Sequence, residues 1–204
     1  MTTTEAYQNL KKKFSPRSPR PTTVHFVARL SYVHLDAPWA GKEGNEPKYC
    51  VSCIIPKEDT ETISAIRKAI DAAVNEGVTK IWKGTKPNTK SSNFKYPLKD
   101  GDTDRDSADA AYEGTMFISA SSKAPVPTLN RLKERVDPKE IYSGCWGLVA
   151  IDFFGFDKGS KGVGAGLNVV MKYADGERLG GDTDHTKDFD GYDLEPDEDE
   201  LDDL

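Results

Sequence analysis

Apolar and polar residues alternate through TTVHFVARLSYVHL (22–35), with Val24, Phe26, Ala28, Leu30 and Tyr32 on one face and Arg29 on the other. A period of two in a run rich in β-branched and aromatic residues predicts a strand. KYCVSCII (48–55) repeats the pattern, with Tyr49, Val51, Cys53 and Ile55 facing one way, and Pro56 ends it. YEGTMFISAS (112–121), CWGLVAIDFFGF (145–156) and GVGAGLNVVMKY (162–173) supply three more strands. The period changes over 60–76, where Ile63, Ile66, Ile70 and Val74 recur at helical spacing and Ala69 and Ala73 fill the same stripe. Asp59 or Thr60 can cap this helix, and Gly77 can supply a left-handed C-terminal position. Residues 78–111 keep no period and read as a long loop. Five principal strands with one helix give a mainly β chain, fitting a small antiparallel barrel or sandwich.

Alternation also sorts the strand faces. Val149, Ile151 and Phe153 form an apolar core face, which leaves Trp146, Leu148, Ala150, Asp152, Phe154 and Phe156 on the other. Tyr112, Met116 and Ile118 point to the core, and Phe117 shares its face with Thr115, Ser119, Ser121 and Lys123. Leu167, Val169 and Met171 point inward, with Asn168 and Lys172 outside. Phe117, Trp146 and Phe154 thus become a ring surface with Lys123 and Lys172 nearby. The long loop adds Trp82, Phe94 and Tyr96 among Lys83, Lys86, Lys90, Lys95 and Lys99, and the 122–135 loop adds Arg131. Flat rings among cations suit single-stranded nucleic acid, because bases stack on the rings while lysines follow the phosphates. The same surface leaves weak duplex DNA or RNA binding open.

Charge sharpens this picture. Residues Asp182–Leu204 hold 12 acids and one base, a net −11, which leaves 27 bases and 22 acids, +5, in Met1–Gly181. A mildly basic body with an acidic tail points toward polyanion binding. Residues 1–21, with Lys11, Lys12, Lys13, Arg17 and Arg20 among three prolines, read as a flexible basic arm: a short frayed helix, then an extended stretch.

Other chemistries find little support. Three cysteines argue against a disulfide framework and fit a reducing cytoplasm. Cys50 and Cys53 are three apart on a strand and so face opposite ways, which spoils half a zinc site. No apolar run approaches the roughly 20 residues that span a bilayer, and no secretion signal is visible. Asp102, Asp104, Asp106 and Glu113 have calcium-loop spacing, but Ser107 stands where the turn needs glycine. The glycine-rich GSKGVGAGL leads into a strand rather than a helix, so close backbone packing fits it better than a phosphate loop. No cofactor, metal or catalytic residue is expected.

YPLKDGD, GTMFISASSKAPVP, IYSGCWG and GVGAGLNVVMKYADGERLGG resemble a family of phage-encoded single-stranded DNA-binding proteins with an OB fold, long catalogued as a phage domain of unknown function. The likeness covers most of 22–181. It implies a five-stranded OB-fold-like barrel over 22–181, followed by a disordered acidic tail over 182–204. It also implies sequence-tolerant, non-enzymatic binding of single-stranded DNA in the host cytoplasm during phage replication or recombination. Such tails recruit replication proteins, phage or host, and compete with DNA for the groove; here Asp197, Glu198, Asp199, Glu200, Asp202, Asp203 and Leu204 are the partner-binding candidates. The helix at 60–76 falls earlier than the usual OB position between strands three and four. Two other classes stay open on the residues alone: an acidic-tailed structural or chaperone-like phage protein, and a metal-dependent nuclease using Asp102, Asp104 and Asp106.

Overall fold

Five long strands carry the alternating pattern into a closed barrel. The computed structural model describes residues 3–41, 44–105 and 109–180. In chain order these are α1 (Thr3–Lys11), β1 (Arg17–Arg20), β2 (Thr23–Trp39), β3 (Lys48–Pro56), α2 (Thr60–Lys80), β4 (Phe94–Lys95), β5 (Leu98–Asp100), α3 (Gly101–Asp104), β6 (Thr115–Ser122), β7 (Thr128–Leu129), β8 (Trp146–Phe156) and β9 (Lys161–Ala174). The barrel strands run β9-β8-β2-β3-β6, antiparallel throughout, and a parallel contact at Ser121 and Gly166 closes β6 onto β9. This is the order of an OB fold, a Greek-key barrel. The four other strands are short additions at its margins.

The core follows the pattern. Val24, Phe26, Ala28 and Leu30 of β2, Val51, Cys53 and Ile55 of β3, and Val149, Ile151 and Phe153 of β8 pack together inside. α2 closes this core with Ile63, Ile66, Ile70 and Val74, each worth roughly 1.5–3 kcal/mol when fully buried. Asp59 caps the helix by accepting from the Thr62 amide at 3.1 Å. α2 lies between the second and third barrel strands, so the helix is indeed displaced from the usual OB position.

Several expectations need correction. Gly77 does not end the helix; α2 continues to Lys80, and a Cβ on Gly77 would lie 2.7 Å from the Trp82 ring. The glycine makes room for that ring. In β9 the pairing register shifts between Ile151–Leu167 and Ala150–Val169. That bulge flips the parity, so Val170 enters the core while Val169 and Met171 turn partly outward. Tyr32 also leaves the core face: it has a φ of 48° beside a register shift in β2–β3 and is exposed. Tyr112 lies in a short 3-10 turn before β6 and packs on Ile54 and Phe117, outside the barrel.

Among the described residues, the segment read as a flexible arm is docked against the barrel through Tyr7, Lys11 and β1. The Tyr7 hydroxyl donates to Asp59, and Lys11 meets Asp59 at 3.0 Å and Glu61 at 3.2 Å. Burial alone would raise the Asp59 carboxyl, but hydrogen bonds from Thr62, Tyr7 and Lys11 outweigh it and hold the carboxyl below its usual range. β1 pairs with β2. No described helix is long and apolar enough to cross a membrane.

Candidate nucleic-acid interface

β8 ends in Phe153-Phe154-Gly155-Phe156, and alternation sends Phe153 inward and Phe154 outward. Phe154 pairs in register with Gly164 of β9. A Cβ on Gly164 would lie 2.7 Å from the Phe154 ring, and one on Gly166 would lie 3.5 Å from it. Gly162 likewise leaves space for Phe156 and Lys95. The alternate glycines of GSKGVGAGL therefore form a bare path on which rings from β8 rest. Phe154 is 51% exposed, although it is supported from below.

Lysines surround this ring. Lys48, Lys95 and Lys99 line a cleft of about 680 Å³ together with Tyr96, Ser119, Ser121, Phe154 and Phe156. Asp104 is the acid among its lining residues. Lys95 and Phe94 also line an adjoining groove of about 630 Å³, which adds Lys86 and Lys161. The cleft spans the outer side of β6 and the ends of β8 and β9, the region of an OB barrel that binds oligonucleotides. Its wall comes from the long loop, where β4 pairs in parallel with β9 and β5 pairs with β6. The lysine-rich loop is thus laid along the barrel. Of the sequence candidates, the cleft and groove unite Lys86, Phe94, Lys95, Tyr96, Lys99 and Phe154.

Four rings expected at the surface are instead packed. Trp82 is buried between Gly77 and Gly155, its Nε1–H donating to the Phe156 carbonyl at 3.2 Å. Phe94 is mostly buried, edge-on to Trp82 at 6.0 Å, and reaches the cleft only as floor. Phe117 lies beneath Tyr112 and Arg105. Trp146 is covered by Tyr7 of α1 at 5.4 Å and packs with Val27. Alternation assigned Phe117 and Trp146 to the outer face correctly, but short elements elsewhere in the chain cover that face.

The remaining cations scatter. Lys83 and Lys90 are exposed on turns outside both cavities. Lys123 pairs with Glu46 at 2.7 Å. Arg131 lies over the Tyr173 ring at 5.1 Å. Lys172 pairs with Asp175 at 2.7 Å and lies over Tyr142, at the opposite end of β9 from Phe154. The tail candidates Asp197, Glu198, Asp199, Glu200, Asp202, Asp203 and Leu204 lie outside the described residues.

The calcium-like aspartates are tied to structure. Lys57 meets Asp100 and Asp102 at 2.6 Å each, and its hydrogen bonds hold both carboxyls below their usual range. Asp102 also accepts from the Gly114 amide at 2.8 Å, and Asp104 from the Asp100 amide at 2.9 Å. Asp106 lies outside the described residues. Cys50 and Cys53 fall on opposite faces of β3, and burial pushes the Cys53 thiol up to about 12.

Sequence reasoning missed Lys48, Lys161 and Trp39. Trp39 is 51% exposed, stacks on His34 at 4.8 Å with rings 7° apart, and sits opposite Lys48 in the β2–β3 register. A tryptophan isolated in APWAGK, outside any apolar period, was the available signal.

The family model for the ssDNA-binding protein of Enterobacter phage Enc34 matches residues 22–202. The chain belongs to this Enc34 family. The solved Enc34 single-stranded DNA-binding protein in complex with ssDNA is 30% identical, with a TM-score of 0.64, covering 83% of this chain and 99% of that one. Its C-terminal truncation is also 30% identical, with a TM-score of 0.61, covering 81% and 97%. Putative protein p50 of Acyrthosiphon pisum secondary endosymbiont phage 1 is 27% identical over 181 residues, covering 85% of this chain and 95% of that protein. Matching the Enc34 structures over almost their whole length fits a shared barrel rather than a shared fragment.

Proposed function

We propose that this chain is a non-enzymatic phage protein that binds single-stranded DNA along the Phe154 cleft. The observation that carries the reading is an exposed ring, seated on glycines, inside a wall of lysines. A base can stack on Phe154, worth about 1–3 kcal/mol, while Lys48, Lys95 and Lys99 neutralise neighbouring phosphates. Duplex DNA keeps its bases stacked and gains less from the ring. Membership of the Enc34 family, with a relative solved on ssDNA, supports the same ligand.

The acidic stretch Asp182–Leu204 completes the reading. At −11 it competes with phosphates for the lysines, and when displaced it offers an acidic peptide to replication proteins. Fluorescence anisotropy with single-stranded and duplex oligonucleotides, on the full chain and on a chain ending at Gly181, tests both parts. The reading expects a single-strand preference, and tighter binding without the tail. Equal affinity for both forms of DNA contradicts the cleft, and unchanged affinity on truncation contradicts the competition.

A further inference from the structure

Between β7 and β8 the chain makes a stiff turn at 130–135. Asn130 Oδ1 accepts from the amides of Leu132 at 2.9 Å and Glu134 at 3.0 Å, and the Asn130 amide donates to the Glu134 carbonyl at 2.9 Å. Thr128 and Val136 close the base, the Val136 amide donating to the Thr128 carbonyl at 3.0 Å. At the tip stands Leu132, 76% exposed, the most exposed large apolar side chain among the described residues. Arg131, Lys133 and Arg135 are exposed around it, and Glu134, the acid of the turn, is tied to Asn130 Nδ2 at 2.9 Å. A single exposed leucine is ordinary. One held out on a stiff cationic turn is already ordered, which lowers the entropy cost of docking.

The same molecule carries a socket of opposite charge. A cavity of about 270 Å³ is lined by Ile54, Ala110, Ala111 and Trp146, with Glu58 and Glu113 also in its wall. Ile54 and Trp146 are buried, whereas Glu58 and Glu113 are exposed. Arg29, the cation of the wall, is mostly buried and turned to the carbonyls of Gly144 at 3.4 Å and Glu177 at 3.0 Å. The turn hangs, through β7, on the edge of β9 away from β8, while the socket lies over β2 and β3. Knob and socket therefore lie on different sides of the barrel, and neither lends a residue to the Phe154 cleft. We propose that the Leu132 turn of one copy docks in the Ile54–Trp146 socket of a second copy, its cations meeting Glu58 and Glu113. Knob and socket on different sides make a heterologous contact, which propagates instead of closing a pair. With the cleft left open, successive copies hold one strand side by side; that use rests on the single-strand reading above.

The test uses the full chain with a thymidine oligonucleotide of about 16 nucleotides and one of about 64, which has room for several copies at about 4–16 nucleotides each. Leu132→Asp and the double variant Glu58→Lys, Glu113→Lys change exposed side chains only. Each should bind the short oligonucleotide like the wild type. On the long one, the affinity with which a second copy joins the first should fall about 10- to 150-fold, the equivalent of burying one leucine. An equal mixture of the two variants keeps one intact knob and one intact socket, so sedimentation velocity should show pairs but not longer arrays. Wild-type assembly in Leu132→Asp overturns the proposal, and so does a loss that the socket variant does not share. A Leu132→Asp effect that vanishes in a chain ending at Gly181 makes the acidic stretch the occupant and also overturns it. If the wild type binds neither oligonucleotide, the single-strand reading fails, and sedimentation of the concentrated protein without DNA decides the contact. Association lost in both variants upholds it there, and a wild type that stays monomeric refutes it.

Discussion

Phe154 rests on Gly164: the two residues pair across β8 and β9, and any Cβ on the glycine would lie 2.7 Å from the ring. Exposure and support normally conflict for an aromatic side chain, since a ring fixed by packing is usually a ring covered by it. Here the fixing surface is backbone, so the outward side stays available.

Replacing Gly164 by valine should therefore displace the ring without opening the core, because the colliding atoms belong to the far end of an exposed side chain. The expected result is single-strand affinity reduced toward that of Phe154→Ala, with a melting temperature close to wild type. Calorimetry and anisotropy on the same preparation check both halves.

Lys95→Gln and Lys99→Gln should each lower the dependence of log affinity on log salt by about 0.7, the amount expected per neutralised phosphate on a single strand. Lys172→Gln, paired with Asp175 at the far end of β9, should leave that slope unchanged. Salt titrations of the three variants decide it.

Trp82→Ala should act on stability. The ring fills the space between Gly77 and Gly155 and donates to Phe156, so its removal should cost about 3–5 kcal/mol. Urea unfolding should show the loss, and strand preference should persist under conditions where the variant is folded.

Asp59 gives a pH test. Its carboxyl is held low in the fold, so the stabilisation it supplies is fully present above the unfolded value of about 3.9 and is lost as pH falls through the lower folded value. The stability difference between wild type and Asp59→Asn should be constant near neutrality and shrink below about pH 4. Urea midpoints measured across that range would show this.

Where the sequence was readable, the reason was periodicity. The inward faces of β2, β3 and β8 and the buried stripe of α2 follow from spacing alone, because a period commits every side chain to one side. Parity failed where one residue was added: the bulge near Asn168 reversed Val169, Val170 and Met171, and the positive φ at Tyr32 turned it outward. Burial of the outer face was not readable either. Trp146 and Phe154 look alike on one strand face, yet Tyr7, from 139 residues away, packs on the first while the second stays exposed. The glycines of β9 signalled close packing, but not that the packed group would be a ring from β8.

The most direct measurement is the single-strand affinity of Phe154→Ala beside that of Trp146→Ala, both by anisotropy and both confirmed folded. The cleft predicts that Phe154→Ala binds roughly 5- to 150-fold more weakly, while folded Trp146→Ala binds like the wild type. Wild-type affinity in Phe154→Ala, or a larger loss in folded Trp146→Ala, would contradict it.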